Sequence, residues 1–390
     1  MARSVALKLV GRNTPFVEEV ELWAPTSKKL AHSLHYVLNY DAVAFPEFAN
    51  FLIKRFSTPG QVVYDPFAGC GVIPLEAGLL DRIPFASDIN PLYTRYTKAK
   101  LSPADITEVM LTLQMIDLMR PINSGLYNEY FAPFFEINTF RELVNLRKFL
   151  QQRDDRVARF IEFIALSLLH GHSAGAFSVH TFSQSAASPE EQVRLNAKRH
   201  QTPDYRSVLP RILKKTAAAT RDGIPSVLRR MAALGKVFVT DVRDLDQLSS
   251  GGVDLVVTAP PIPGRAVDRS GFWLRFWFAG LSGKSFEGPP AAVSLTEWNR
   301  FMVETLNRLA QVVRSGGRVA LIVSEAQVEG RIIDLSSEIR TLVEEVSPSQ
   351  WSVEGLFLNR YRGGDLLQGL HSRIGERNQT RDRFIVLQRN

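Results

Sequence analysis

The chain has 390 residues, 45% of them hydrophobic and 22% charged, with a net charge of +7, which is enough apolar mass for one large or two modest domains. No run approaches the roughly eighteen apolar residues of a membrane span, and the opening stretch Met1-Ala2-Arg3-Ser4-Val5-Ala6-Leu7 is too short and broken for a secretory signal, so the expected location is the cytoplasm. The single cysteine, Cys70, excludes an internal disulfide and a multi-cysteine zinc site.

In chain order, the apolar stretch Phe51-Leu52-Ile53 predicts a helix ahead of the hydrophobic run Val62-Val63-Tyr64. That run leads through Asp65-Pro66-Phe67-Ala68-Gly69-Cys70-Gly71 into a helix and then into a second strand, Ile83-Pro84-Phe85-Ala86-Ser87, ending at Asp88-Ile89-Asn90-Pro91. Strand, glycine turn, helix, strand and acid make half of a nucleotide-binding α/β unit. The glycines let a ligand approach the backbone, the helix N-terminus adds unpaired N–H groups, and the second acid can accept both hydroxyls of a ribose. A phosphate loop would carry G-x-G-x-x-G or a lysine after the glycines, and neither is present.

Apolar residues then recur at spacings of three and four in 106–111, 140–150 and 157–166, predicting amphipathic helices. His170, His172 and His180 follow in a small, polar, interrupted stretch with no cysteine or acid at ligand spacing, which reads as a nucleic-acid loop rather than a metal site. Ser188-Pro189-Glu190-Glu191 is a helix start. Strands are expected at 237–240 before Asp241-Val242, at 253–257 before Thr258-Ala259-Pro260-Pro261-Ile262, and at 318–323 after a glycine turn, with a helix and a closing hairpin in 331–387. Residues 268–277 are rich in aromatics, most simply an amphipathic core helix, and 281–290 is turn-rich and reads as a surface loop. Positive charge gathers at Arg194, Lys198, Arg199 and Arg206 and again at Arg360, Arg362, Arg373 and Arg377, two clusters suited to phosphate contacts.

The loop Asp65-Pro66-Phe67-Ala68-Gly69-Cys70-Gly71 resembles motif I of S-adenosylmethionine-dependent methyltransferases, specifically those that modify exocyclic amines of nucleic-acid bases. The resemblance covers roughly residues 30–100 and 235–325, in the order of a DNA amino-methyltransferase with its variable segment between motif I and the catalytic motif. It implies a Rossmann-like class I α/β fold with a seven-stranded, mostly parallel sheet. The first half of the core would lie in 1–100, a helical, target-recognising insertion in 101–235, and the second half of the core in 236–390. The cofactor implied is S-adenosylmethionine. His35 and Tyr36, with Phe45-Pro46-Glu47-Phe48, would hold its methionine end. Asp65, Pro66, Phe67, Gly69 and Gly71 would form the loop, Asp88 and Ile89 would meet the ribose and adenine, and Asp241, Val242 and Thr258 would complete the seat. Cys70, where the family often has Ser, reads as a small residue lining that seat. As the only cysteine it also argues against 5-methylcytosine chemistry.

The catalytic motif departs from the family. The usual form is Asp, Asn or Ser, then Pro-Pro, then an aromatic. The polar side chain and the first proline carbonyl accept the two N–H bonds of the target amine, and the ring stacks on the extruded base. Here Ala259 and Ile262 stand at the polar and aromatic positions, while Pro260 and Pro261 keep the pocket floor. Three readings stay open: replacement groups from Asp268, Ser270, Phe272 or Trp273, a chain that binds without catalysing, or an engineered knock-out. The leading expectation is methylation of a DNA base, cytosine N4 ahead of adenine N6. The alternatives are a silent binding subunit and an RNA base methyltransferase. DNA is the expected partner, no membrane and no metal are expected, and a restriction or other defence partner fits the same reading.

Overall fold

The computed structural model describes residues 15–20, 22, 31–38, 45–171, 175–181, 186–264, 270–282, 294–359 and 383–390. Its elements in chain order begin with β1 (Phe16–Val20), a 3-10 turn at Ser33–Tyr36, α1 (Pro46–Phe56), β2 (Val62–Asp65), α2 (Val72–Leu79), β3 (Ile83–Asp88) and α3 (Pro91–Leu101). A helical run follows, α4 (Ile106–Gln114), α5 (Ile137–Gln151), α6 (Arg156–Leu168), α7 (Pro189–Lys198), α8 (Val208–Ala219) and α9 (Ser226–Leu234). The chain then returns to the sheet with β4 (Lys236–Val239), β5 (Val253–Thr258), α10 (Trp273–Ala279), α11 (Leu295–Val312) and β6 (Val313–Val323). It closes with β7 (Glu325–Val328), β8 (Arg331–Asp334), α12 (Leu335–Val346), β9 (Trp351–Asn359) and β10 (Arg383–Arg389).

Eight of the described strands form one sheet in the order β1-β9-β10-β6-β5-β2-β3-β4, and only β10 runs against its neighbours. Order reverses between β2 and β5, which makes the carboxyl ends of those two strands the switch point where doubly wound sheets place ligands. This is the Rossmann-like methyltransferase sheet that the motifs imply, with one strand more than the seven expected. The extra strand, β1, pairs in parallel with β9 at the sheet edge. Gly355 makes that pairing possible: a Cβ there would lie 2.4 Å from the Phe16 ring.

Alternation along the central strands builds both core layers. Val63, Leu255, Val257, Ala320, Ile322, Phe384 and Val386 face α1 and α2. Tyr64, Val256, Val319, Leu321, Ile385 and Leu387 face α11 and α12. A third cluster joins α4, α5, α6, α8 and α10 to Leu34, Leu75, Leu92 and Tyr96, so the helical run is packed onto α2 and α3 by a continuous apolar seam. Local capping matches the sequence. Asn90 accepts from the Leu92 N–H at 3.0 Å with Pro91 opening α3, Asp105 and Glu108 make a reciprocal capping box on α4, and Ser188 caps α7. The segment 331–334, expected within a helix, is instead β8 paired with β7, and the helix starts at Leu335 behind the Asp334 cap.

Candidate functional site

The loop after β2 is held from three sides. The Phe67 N–H donates to Asp65 Oδ1 at 3.1 Å, the Gly69 N–H to Asp88 Oδ2 at 2.9 Å, and the Ala68 N–H to the Ser87 carbonyl at 3.0 Å. Gly69 and Gly71 have φ of +48° and +73°, a left-handed backbone that glycine adopts without cost. A Cβ on Gly69 would meet only the Phe67 carbonyl, at 3.9 Å, so that face of the loop is open to a ligand. Gly71 is different: a Cβ there would sit 2.7 Å from Thr97 Oγ1, so its glycine serves the close approach of α3.

Asp88 also accepts from the Asn90 N–H at 2.8 Å, which fixes the carboxylate beside the loop with lone pairs to spare for hydroxyl donors. Burial pushes its carboxyl up to about 6, against the pull of the two backbone N–H groups. Asp65 is buried, and burial drives it up to about 7 although the Thr258 hydroxyl and the Phe67 N–H both favour its charged form. The Thr258 hydroxyl donates to Asp65 Oδ1 at 2.6 Å, tying the glycine loop to the end of β5.

Beyond Thr258, Pro260 is buried and the Trp298 indole on α11 donates to the Pro261 carbonyl at 2.7 Å, which fixes the two prolines against the core. Ala259 packs against the Phe48–Ile73 layer and Ile262 against the Trp298–Phe301 layer. Both are partly buried and neither side chain offers a hydrogen-bonding atom. Of the groups considered as substitutes, Asp268 lies outside the described residues. Phe272 meets Tyr93 edge-on, while Trp273 packs on Phe131 and Phe134 and donates its N–H to the Ala187 carbonyl. The aromatics of 270–279 are therefore occupied in joining the helical run to the core.

On the other flank, Ile89 is half-buried and Val242 buried. Asp241 is engaged by Arg243 through its side chain and its backbone N–H, at 2.8 to 2.9 Å, and these bonds hold its carboxyl below the usual range despite burial. The Arg243 guanidinium lies over Phe301, whose ring meets Phe67.

Upstream, His35 is buried with Nε2 2.8 Å from Glu76 Oε1, and Asn50 donates to Glu76 Oε2 at 2.9 Å. Burial lowers the imidazole below its ordinary range, against the raising effect of Glu76. The turn carrying His35 and Tyr36 is fastened to the helical run: Ser33 Oγ donates to the Ala219 carbonyl at 2.8 Å and the Ser33 N–H to Asp222 at 2.8 Å. Motif spacing cannot show this support. Cys70 is partly buried in the loop, and burial pushes its thiol up to about 12.

The basic residues divide. Arg194 and Lys198 are exposed on α7. Arg199 donates to the His180 carbonyl at 3.1 Å. Arg206 pairs with Asp204 and donates to the Ala176 and Ser178 carbonyls, so its guanidinium braces a loop. Arg360, Arg362, Arg373 and Arg377 lie outside the described residues, as does His172. His170 is buried beside Phe134, with Nε2 3.2 Å from Thr181 Oγ1. Among the described residues no group of three His, Cys, Asp or Glu is placed to hold a metal, and no helix is long and apolar enough to cross a membrane.

No family model matches the chain. A 64-residue stretch, 16% of this chain and 13% of the relative, is 36% identical to the tRNA (guanine(37)-N(1))-methyltransferase of Saccharomyces cerevisiae. Among solved structures, TrmN from Thermus thermophilus aligns over 96% of this chain at 13% identity with a TM-score of 0.36, and this chain spans 56% of its length. The rRNA methyltransferase aviRa from Streptomyces viridochromogenes aligns over 95% of this chain and 96% of its own at 12% identity and a TM-score of 0.35. A TehB-like SAM-dependent methyltransferase from Corynebacterium glutamicum aligns over 92% of both chains at 9% identity and 0.34. Scores this low do not establish a common fold, and the fold here rests on the strand order and its single reversed strand.

Proposed function

We propose that the protein binds S-adenosylmethionine at the carboxyl ends of β2 and β3 and transfers its methyl group to a nitrogen of a nucleic-acid base at the Ala259–Ile262 motif. One observation carries this reading. Asp65, in the glycine loop, and Thr258, at the mouth of the proline motif, share a 2.6 Å hydrogen bond across the switch point, which supports reading the two motifs as one site.

When bound, the cofactor supplies an electrophilic methyl on a sulfonium. The chain's own groups suit that ligand: Asp88 can accept ribose hydroxyls, the open face of Gly69 admits it, and Ile89, Phe67 and Val242 offer apolar contact to a purine. On the substrate side, the Pro260 carbonyl can accept one N–H of a base amine. The Ala259 side chain accepts nothing, and the loss of one preorganised acceptor costs about 10²–10³ in rate.

RNA is the polymer we place first, because the curated relative with local identity is named as a tRNA methyltransferase. DNA cytosine N4 is the second reading, supported by the order of the motifs and the retained Pro260-Pro261 pair. Both are tested by transfer of labelled methyl to total RNA and to mixed-sequence duplex DNA, with an Ala259→Ser/Ile262→Tyr variant beside the wild type. Label in either polymer supports transfer, and nucleoside digestion names the base. Label from the variant alone would make the natural chain a cofactor-binding, non-catalysing protein, and label from neither would sink the proposal.

A further inference from the structure

β6 runs parallel to β5 and antiparallel to β10, so the end of β6 and the start of β10 lie at the same edge of the sheet as Asp65, Asp88 and Thr258. There the chain does not pass straight into α12. It first folds into the β7–β8 hairpin, a two-stranded sheet of its own. Arg383, the first residue of β10, clamps both strands at the hairpin base, 2.9 Å from Glu325 and 3.2 Å from Asp334. At the tip, Glu329 and Gly330 have φ of +51° and +78°, the two left-handed positions of a two-residue type I′ turn, which fixes the register of the pair.

The two faces of the hairpin differ. Ala326, Val328 and Ile333 join the apolar layer that holds Ile262, and a Cβ on Gly264 would lie 2.9 Å from the Gln327 carbonyl, so the hairpin backs directly onto the loop that continues the proline motif. The opposite face presents Gln327 paired across the strands with Ile332, both exposed, Ile332 at 65%. At the tip, Glu329 and Arg331 cancel in charge, so this end does not attract phosphate. One exposed aliphatic is ordinary on a protein surface. Here it stands beside an amide, on a clamped ribbon, at the ligand edge of the sheet. A planar amide next to an aliphatic face suits an unstacked base, because the amide can donate to and accept from the base edge while the branched chain covers the ring.

We infer that the β7–β8 hairpin holds an unstacked nucleic-acid base beside the target, with Gln327 on its edge and Ile332 on its ring. This rests on the nucleic-acid reading above and deepens it, since the contact requires a single or locally opened strand. Both residues lie outside the motifs, and they act through the base rather than through the backbone of the polymer.

The test uses the full chain as wild type, Ile332→Ala, Gln327→Ala/Ile332→Ala and Ile332→Trp, titrated by fluorescence anisotropy with a labelled mixed-sequence single-stranded RNA and with DNA of the same sequence. Ile332→Ala should weaken binding of the preferred polymer by about 3- to 10-fold and the double variant by about 10-fold or more, whereas Ile332→Trp, with a larger stacking face, should tighten it. The ratio of wild-type to variant affinity should stay the same between about 50 and 200 mM salt, because stacking releases no counterions. S-Adenosylhomocysteine affinity should stay within about 2-fold and the melting temperature should hold, since both side chains are exposed. Variants that bind the polymer like the wild type would overturn the inference and leave the nucleic-acid reading standing. So would a ratio that shrinks as salt rises, which would mark a phosphate contact, or an equal loss of S-adenosylhomocysteine affinity with a lower melting temperature, which would make the hairpin scaffold. A wild type that binds neither polymer would remove the nucleic-acid reading itself, and the inference with it.

Discussion

The two sides of the switch point are built differently. On the β2–β3 side the chain buries or half-buries two carboxylates, places two glycines in left-handed backbone, and pins the loop with hydrogen bonds from several partners. On the β5 side the corresponding positions, Ala259 and Ile262, pack into the two hydrophobic layers, and among the described residues the polar connections include Thr258 to Asp65 and Trp298 to Pro261. Burial raises the pKa of both carboxyls, which costs folding stability at neutral pH. Under the proposed function the β2–β3 side would seat the cofactor, and the β5 side keeps its proline pair without a side-chain acceptor at Ala259.

Gly71→Ala is the strongest way to break the cofactor side. The new Cβ would face Thr97 Oγ1 at 2.7 Å and Thr97 Cα at 3.0 Å on a left-handed backbone, and α3 cannot retreat without opening the apolar seam. We expect a loss of about 2–4 kcal/mol of stability, measured by denaturant unfolding, with S-adenosylhomocysteine binding abolished. Full binding in this variant would show that the loop is not the seat.

Trp298→Phe addresses the other side. It removes the bond to the Pro261 carbonyl and leaves space beneath the motif, for about 1–3 kcal/mol. Cofactor affinity should hold while any methyl transfer falls. Equal losses in both would mean that the two sides are not separable.

The pH dependence sharpens the comparison. Asp65 and Asp88 have folded pKa values near 7 and 6, above their ordinary 3.8, so the folded state holds these protons more tightly than the unfolded one. Their contribution to stability is complete below about pH 4 and is lost as pH rises to about 7. For Asp65 it is at most on the order of 4 kcal/mol. Asp65→Asn should flatten the upper part of that decline in melting curves. A wild-type curve with the same flat profile as the variant would contradict it.

The smallest effect is expected at the sheet edge. Phe16→Ala removes the ring that fills the space over Gly355, and it should loosen β1 in hydrogen exchange while leaving ligand binding unchanged. Altered ligand affinity would connect β1 to the site.

Much of this was legible in the sequence because strand, glycine turn and acid are local patterns. β2, β3, β5 and β6, the turn at Gly69 and Gly71, and the helices α4 to α7 all follow from runs and caps that a single segment carries. β1 did not announce itself, since Phe16-Val17-Glu18-Glu19-Val20 lacks alternation and owes its place to Gly355 more than three hundred residues away. Lys100 reads in sequence as one more basic residue in the last turn of a helix, where cations suit the dipole, and only the fold shows that it is wholly buried. The sequence places Arg206 in a basic cluster, and only the fold shows that its guanidinium braces the carbonyls of Ala176 and Ser178.

The central claim is that the glycine loop and Asp88 seat S-adenosylmethionine, and calorimetric titration of S-adenosylhomocysteine into the wild type and into Asp88→Ala tests it most directly. Saturable binding in the wild type, stronger as pH rises through about 6 and weakened at least about 10-fold by the substitution, is the result expected. No binding to the wild type, or equal binding to both proteins, would contradict it.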